Sequence, residues 1–196
     1  MPAAGLTGAA LAEVAERLGH VTVRVREGDT GEGSGVVLHS RGLVVTNAHV
    51  ARRRPTVVLR DGRALPARVL AWDPELDLAV LDVEAAGLPA AEIGDARTLR
   101  VGALVLAIGH PFGLARALSV GVVHSLGAGD GGLRVIRADL RLAPGNSGGP
   151  LADARGRVVG INTMIAGGLA VAAPIHLVEQ FLSASLWRRR EAAGVP

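Results

Sequence analysis

The chain is 196 residues long, with 49% hydrophobic and 20% charged positions, 27 Gly and 10 Pro; that is enough to bury one sizeable core and too apolar for intrinsic disorder. Its 21 basic and 18 acidic residues leave a net charge of +3, yet the pI is near 11.0, because every basic residue is Arg and Lys, Cys and Tyr are absent, so little titrates between His and Arg. The high pI is therefore no argument for nucleic acid, and the missing residues exclude thiol nucleophiles, disulfides, thiolate metal sites, Schiff-base lysines and Ser-Lys dyads.

At the amino terminus, Glu13 and Glu16 fall where a signal peptide needs its apolar core, and no basic leader precedes them. This predicts a cytoplasmic protein, with a periplasmic or extracellular location as the alternative if a leader is removed. Leu6, Ala10, Val14 and Leu18 recur every four residues and predict a short amphipathic helix. No apolar run reaches the ~20 residues that span a bilayer, so a soluble chain without a membrane span is expected.

Short β-rich runs then follow, separated by Gly and Pro: His20 to Arg26, Gly35 to His39, Leu43 to Thr46, Thr56 to Leu59, Leu78 to Val83, Ala103 to Ile108, Leu118 to His124, Leu133 to Asp139, Val158 to Met164 and Leu169 to Ala173. Their spacing predicts an all-β barrel or sandwich. A seam at Gly87 to Thr98 divides them into a first unit of about 20–95 and a second of about 96–174, within one continuous domain. Pro174 and Ile175 open a carboxy-terminal helix to about residue 192, with Leu177, Phe181, Leu182 and Leu186 along one side and Arg188, Arg189 and Arg190 at its end, where the helix dipole favours cations.

The most informative segment is Pro144-Gly145-Asn146-Ser147-Gly148-Gly149-Pro150. Its glycines permit tight backbone geometry in which amides converge on an anion, although a plain turn would use the same residues. It also satisfies G-x-S-x-G, the nucleophile elbow of α/β-hydrolases, but an elbow must be followed by a helix. Here Pro150 and the hairpin-like Asp153-Ala154-Arg155-Gly156 follow, and Asp153 and His176 are poorly suited to complete that triad. Upstream, His49 ends an apolar run and Asp77 opens another. The order His49, Asp77, Ser147 is that of chymotrypsin-type triads. In that division of labour His49 takes the Ser147 proton, Asp77 orients the imidazole, and the Gly145-Asn146-Ser147 segment, through the amides of Gly145 and Ser147, stabilises an oxyanion.

With these residues in view, the chain resembles the trypsin-like serine proteases of the HtrA/Deg group over roughly Val21 to Pro174. The matching motifs are Gly33-Ser34-Gly35-Val36-Val37, Thr46-Asn47-Ala48-His49-Val50, Asp77-Leu78-Ala79-Val80-Leu81, Gly109-His110-Pro111-Phe112-Gly113, the Ser147 loop, and Gly160-Ile161-Asn162-Thr163. The resemblance implies an all-β, chymotrypsin-like double six-stranded β-barrel with short terminal helices. It implies a cleft for an extended peptide, with His49 and Asp77 on the first barrel and Ser147 on the second, and cofactor-independent hydrolysis through an acyl-enzyme. The rival function is a catalytically silent, peptide-binding pseudoprotease.

Two family features differ. About twenty residues follow Pro174, too few for a PDZ domain, and no aromatic residue precedes Trp72, whereas family trimers often use aromatics there; the oligomeric state stays open. Substrate contacts are expected from Arg141, Leu142, Ile161, Asn162, Thr163, Ala170 and Val171. An inward Arg141 would favour acidic side chains or block the pocket. An outward Arg141 would leave an apolar pocket for small aliphatic residues, the favoured reading because burying an unpaired Arg is costly. The remaining histidines are widely spaced, so no metal site is expected. The Arg52–Arg54 and Arg188–Arg190 runs lack interleaved aromatics and read as solvated, without nucleic-acid binding. Trp72 and Trp187 read as packing residues.

Overall fold

The computed structural model describes residues 7–28, 31–114, 116–128 and 134–192, with backbone alone at 31, 128 and 186–192. Helix α1 (Gly8–Val21) leads into two closed antiparallel barrels. The first contains β1 (Thr22–Glu27), β2 (Gly31–His39), β3 (Leu43–Thr46), β4 (Pro55–Val58), β5 (Ala64–Asp73) and β6 (Leu78–Val83), in the order β1-β2-β3-β6-β5-β4. The second contains β7 (Leu104–Gly109), β8 (Ala117–Ala128), β9 (Arg134–Asp139), β10 (Pro150–Asp153), β11 (Val158–Ala166) and β12 (Leu169–Pro174), in the order β10-β11-β12-β9-β8-β7; α2 (Ile175–Ala192) follows. The all-β double barrel with two flanking helices is thus present.

Some strands carry consecutive apolar residues because both of their faces are covered. Along β2, β3 and β6, Val37, Val44, Ala79, Leu81 and Val83 enter the first barrel's core. Alternate residues Val36, Val45, Leu78 and Val80 join the larger core containing Leu106, Ile108, Leu151 and Ile161. The two-residue period of a strand sends neighbours to opposite faces, so these strands bind one barrel to the other.

Helix α1 begins at Thr7, whose Oγ accepts from the Ala10 amide at 3.3 Å, a side-chain cap for one otherwise unpaired amide. It runs through His20 to Val21, so the strand expected from His20 starts at Thr22. Val14 and Leu18 are buried, flanked by half-buried Leu11 and Ala15. Leu6 lies outside the described residues, as does Leu133. Pro174 closes β12 instead of opening α2. The buried face of α2 carries Ile175, Val178, Phe181 and Ser185, with Leu182 beside it; full burial of each large apolar side chain is worth about 1.5–3 kcal/mol. The side chains of Leu186, Trp187 and Arg188–Arg190 lie outside the described set.

Two strands went unpredicted. β5 contains Pro66 and Arg68 and buries no position fully, so its apolar alternation is weak, yet it pairs with β4 and β6. β10 has only four residues and is specified by pairing with β11 and β7. A strand, not a helix, therefore follows the Ser147 loop.

Candidate active site

His49 and Asp77 meet because β3 and β6 are antiparallel neighbours, with Thr46 opposite Ala79. The end of β3 and the start of β6 consequently project to the same rim. Asp77 adopts a left-handed φ of 51°, and Asn47 Nδ2 donates to its carbonyl at 2.8 Å. His49 donates to the Asp77 carboxylate twice over: its backbone N–H reaches Oδ1 at 3.1 Å, and Nδ1 lies 3.0 Å from Oδ1 and 2.8 Å from Oδ2. This assigns the proton to Nδ1 and leaves Nε2 as the acceptor. Trp72 Nε1 donates to the Ala48 carbonyl at 3.0 Å, bracing the residue before His49. Trp72 is thus more than the packing residue expected, and its indole N–H, which seeks a partner, was the only sequence signal.

Ser147 arrives from the other barrel. Its carbonyl accepts from Ser34 N–H on β2 at 2.7 Å, while Gly148 N–H donates to Asn162 O at 2.8 Å and Asn162 N–H to Gly149 O at 2.9 Å. His49, Asp77 and Ser147 share one cleft of about 360 Å³ with Leu142, Asn162 and Thr163. The Ser147 hydroxyl donates to Thr163 O at 3.0 Å, and among the described residues no hydrogen bond joins it to His49.

The amides of Gly145 and Ser147 have no protein acceptor among the described residues. Asn146 differs: its backbone N–H and Nδ2 both donate to Ala143 O, at 3.0 and 3.1 Å. Asn146 thus spends its backbone N–H and Nδ2 inside the turn, unlike the donor expected of it in the Gly145-Asn146-Ser147 segment.

The expected substrate contacts divide. Leu142, Asn162 and Thr163 line the cleft. Arg141 is exposed and outside it, with its carbonyl accepting from Ser119 Oγ. Ile161 and Ala170 point into the barrel core, at 0% and 2% exposure, which corrects their expected place at the substrate. Val171 lines a separate apolar cavity of about 160 Å³ behind Asp77 and Thr163. Met164 and Ile165, unpredicted, supply the apolar wall instead. The cause is a register shift between Asn162 and Met164, which breaks the alternation that sends Ile161 inward.

The other polar candidates have structural partners. Asp153 ties the β10–β11 turn by accepting from the Arg155 and Arg157 amides, and Asp95 Oδ1 accepts from Arg97 N at 3.0 Å. Arg52 N and Arg53 N donate to the Glu27 carboxylate. No three His, Asp or Glu residues gather for a metal among the described residues, and no described helix is long and apolar enough to cross a membrane.

Behind the loop, burial lowers the His110 pKa to about 4, with Arg24 and Arg116 adding to the effect and Glu32 opposing it. The unfolded chain, with an ordinary His pKa near 6.5, then binds more protons between about pH 4 and 6.5. Stability should fall as pH drops through that window, by about 3 kcal/mol at pH 4 relative to pH 7. Urea unfolding of the chain and of His110→Gln at both pH values checks this: the substitution should remove most of the His110-linked loss.

The description "Trypsin-like peptidase domain" matches residues 33–161. HhoB of Synechocystis sp. (strain ATCC 27184 / PCC 6803 / Kazusa) is 42% identical over 163 residues, 77% of this chain and 39% of that protein. The mitochondrial serine protease HTRA2 of Drosophila pseudoobscura pseudoobscura is 36% identical over 83% of this chain and 41% of its own length. The chain thus spans about two fifths of the length of these curated relatives. Among solved structures, the HtrA-type protease AlgW with tripeptide superposes with a TM-score of 0.83 at 34% identity, covering 88% of this chain and 62% of that one. These matches, running through the strands and loops that carry His49, Asp77 and Ser147, place the chain in the trypsin-like peptidase domain family, within its HtrA-type group.

Proposed function

We propose that the chain is a serine endopeptidase that hydrolyses peptide bonds of extended or unfolded polypeptides. The observation that carries this reading is the convergence on one cleft of an oriented His49–Asp77 pair and the Ser147 hydroxyl, the latter in a loop whose Gly145 and Ser147 amides have no protein acceptor among the described residues. The hydroxyl first turns from Thr163 O toward His49 Nε2, which takes its proton as Oγ attacks the carbonyl carbon. The oxyanion is met by the Gly145 and Ser147 amides. His49 then protonates the leaving amine, an acyl-enzyme forms on Ser147, and water activated by His49 releases it. Asp77 stabilises the imidazolium in both steps. The exposed Arg141 and the walls of Leu142, Met164 and Ile165 support selection of apolar rather than acidic substrate side chains.

Labelling with a fluorophosphonate probe tests the reading. The chain should label at Ser147, and Ser147→Ala should abolish both labelling and cleavage of an unfolded protein substrate. Labelling that survives the substitution, or a well-folded chain that never labels, refutes Ser147 as the assembled nucleophile.

A further inference from the structure

The Ser147 loop depends for its shape on a residue of the opposite barrel. Ser34, on β2, is fully buried and spends every polar group it has. Its N–H donates to Ser147 O at 2.7 Å, its carbonyl accepts from Thr46 Oγ1 at 2.6 Å, and its hydroxyl donates to Gly145 O at 2.7 Å. The same hydroxyl accepts from His110 N–H at 3.0 Å and lies 3.2 Å from His110 Nδ1. Because its one proton goes to Gly145 O, His110 Nδ1 carries a proton and donates to Ser34 Oγ. Burial of His110 keeps the ring neutral over the working pH range.

Gly145 needs such restraint. Its φ is 103°, in a region open to glycine, so little intrinsic cost opposes rotation of either flanking peptide. Three bonds oppose it instead. Phe112 N–H donates to Pro144 O at 3.1 Å, and because the Pro144–Gly145 peptide is trans, the Gly145 N–H is turned to the opposite side. On the following peptide, the Gly145 carbonyl is held by the short bond from the Ser34 hydroxyl at 2.7 Å, with a longer one from His110 N–H at 3.4 Å.

We propose that Ser34 is a positioning residue for the oxyanion-binding loop: its buried hydroxyl, shared with His110, holds the Gly145 carbonyl so that the Gly145 and Ser147 amides stay turned toward the reacting carbonyl. This rests on the peptidase reading above. Ser34 touches no reacting atom; it acts through Gly145. Removal of one oxyanion donor costs 10²–10³ in kcat in related chemistry, and a donor loosened rather than deleted costs less, about 10- to 100-fold.

The test compares Ser34→Ala with the unaltered chain in kcat, KM and the ¹⁵N–¹H resonance of Gly145. Expected are a 10- to 100-fold fall in kcat, a KM within about twofold, a displaced Gly145 amide resonance, and an unchanged His49 titration midpoint. The proposal is overturned if the Gly145 resonance stays in place, if kcat changes less than threefold in an active chain, or if KM and the His49 midpoint shift along with kcat. Should Ser34→Ala fail to fold, Ser34→Cys keeps a weak donor in the site and is read the same way, with about a tenfold fall expected. If the unaltered chain neither labels at Ser147 nor cleaves, the peptidase reading fails by itself, and the Gly145 resonance still decides whether Ser34 holds the loop.

Discussion

Asp77→Asn will lower kcat by about four orders of magnitude with little change in KM or thermal midpoint. The expectation follows from three contacts. Asp77 Oδ1 accepts from the His49 backbone N–H at 3.1 Å, and Nδ1 lies within 3.0 Å of both carboxylate oxygens. In the Asn variant the amide oxygen must keep facing the backbone N–H, which has no alternative acceptor there. The NH₂ group then occupies the Oδ2 position and points at Nδ1. A donor opposite Nδ1 is satisfied only if Nδ1 loses its proton, so the ring changes tautomer and Nε2 carries the hydrogen. It can no longer take one from Ser147. The fold should survive, because Asn tolerates the left-handed conformation at this position and the Asn47 bond goes to the backbone carbonyl. Steady-state kinetics and a thermal melt check both halves. A loss under tenfold would mean that Asp77 does not set the tautomer of a working base.

The legible parts of this fold are those governed by near neighbours in sequence. Leu43–Thr46 and Leu78–Val83 read as strands because β-branched and apolar runs of that length between turn residues have few alternatives. The placement of His49 just beyond one and Asp77 just before the other follows from their antiparallel pairing, and the Gly-rich Ser147 loop announces its own backbone demands. The illegible parts depend on partners distant in sequence. β5 carries Pro66 and Arg68 and is held by β4 and β6 on either side. Ile161 was expected at the substrate with Asn162 and Thr163, in a segment matched to the family's strand after the nucleophile, but it is buried in the core, and the shift after Asn162 leaves the successive residues Met164 and Ile165 exposed.

The polar contacts around the loop were less legible still. Ser34 belonged to a motif that counted only toward the family resemblance, and nothing local says that its hydroxyl reaches a carbonyl 111 residues away. Likewise the direction of the Ser147 hydroxyl, toward Thr163 O, is a rotamer choice set by the surrounding fold. The solvent-facing Arg141 was resolved by physics available in advance, since a buried guanidinium needs a partner and the cleft beside it has Leu142, Met164 and Ile165 in its wall.

Gly145→Ala should separate the loop's geometry from the His49–Asp77 pair. A Cβ added at Gly145 would run into the His110 carbonyl oxygen, with the His110 carbonyl carbon at 2.9 Å and Pro111 Cα at 3.0 Å. All three are backbone atoms and cannot swing aside as a flexible side chain would. The φ of 103° adds strain of about 1–3 kcal/mol for a residue with a Cβ. Relief requires the loop to retreat from the His110–Gly113 segment, which breaks the Phe112 N–H to Pro144 O bond and turns the Gly145 amide away from the cleft. The expected result is a fall in kcat of about 10²–10³-fold. A drop in thermal midpoint of roughly 4–12 °C should accompany it, from about 2–3 kcal/mol at 2–4 °C per kcal/mol in a domain of this size. Gly102→Ala is the control: its φ is 83° but no atom lies within 4 Å of the added Cβ, so it should show strain alone, with a smaller drop in midpoint and full activity. If Gly145→Ala behaves like Gly102→Ala, the Gly145 amide does not stabilise the oxyanion. If instead kcat falls while the His49 titration is unchanged, the defect lies in the loop and the histidine–aspartate pair stands apart from it.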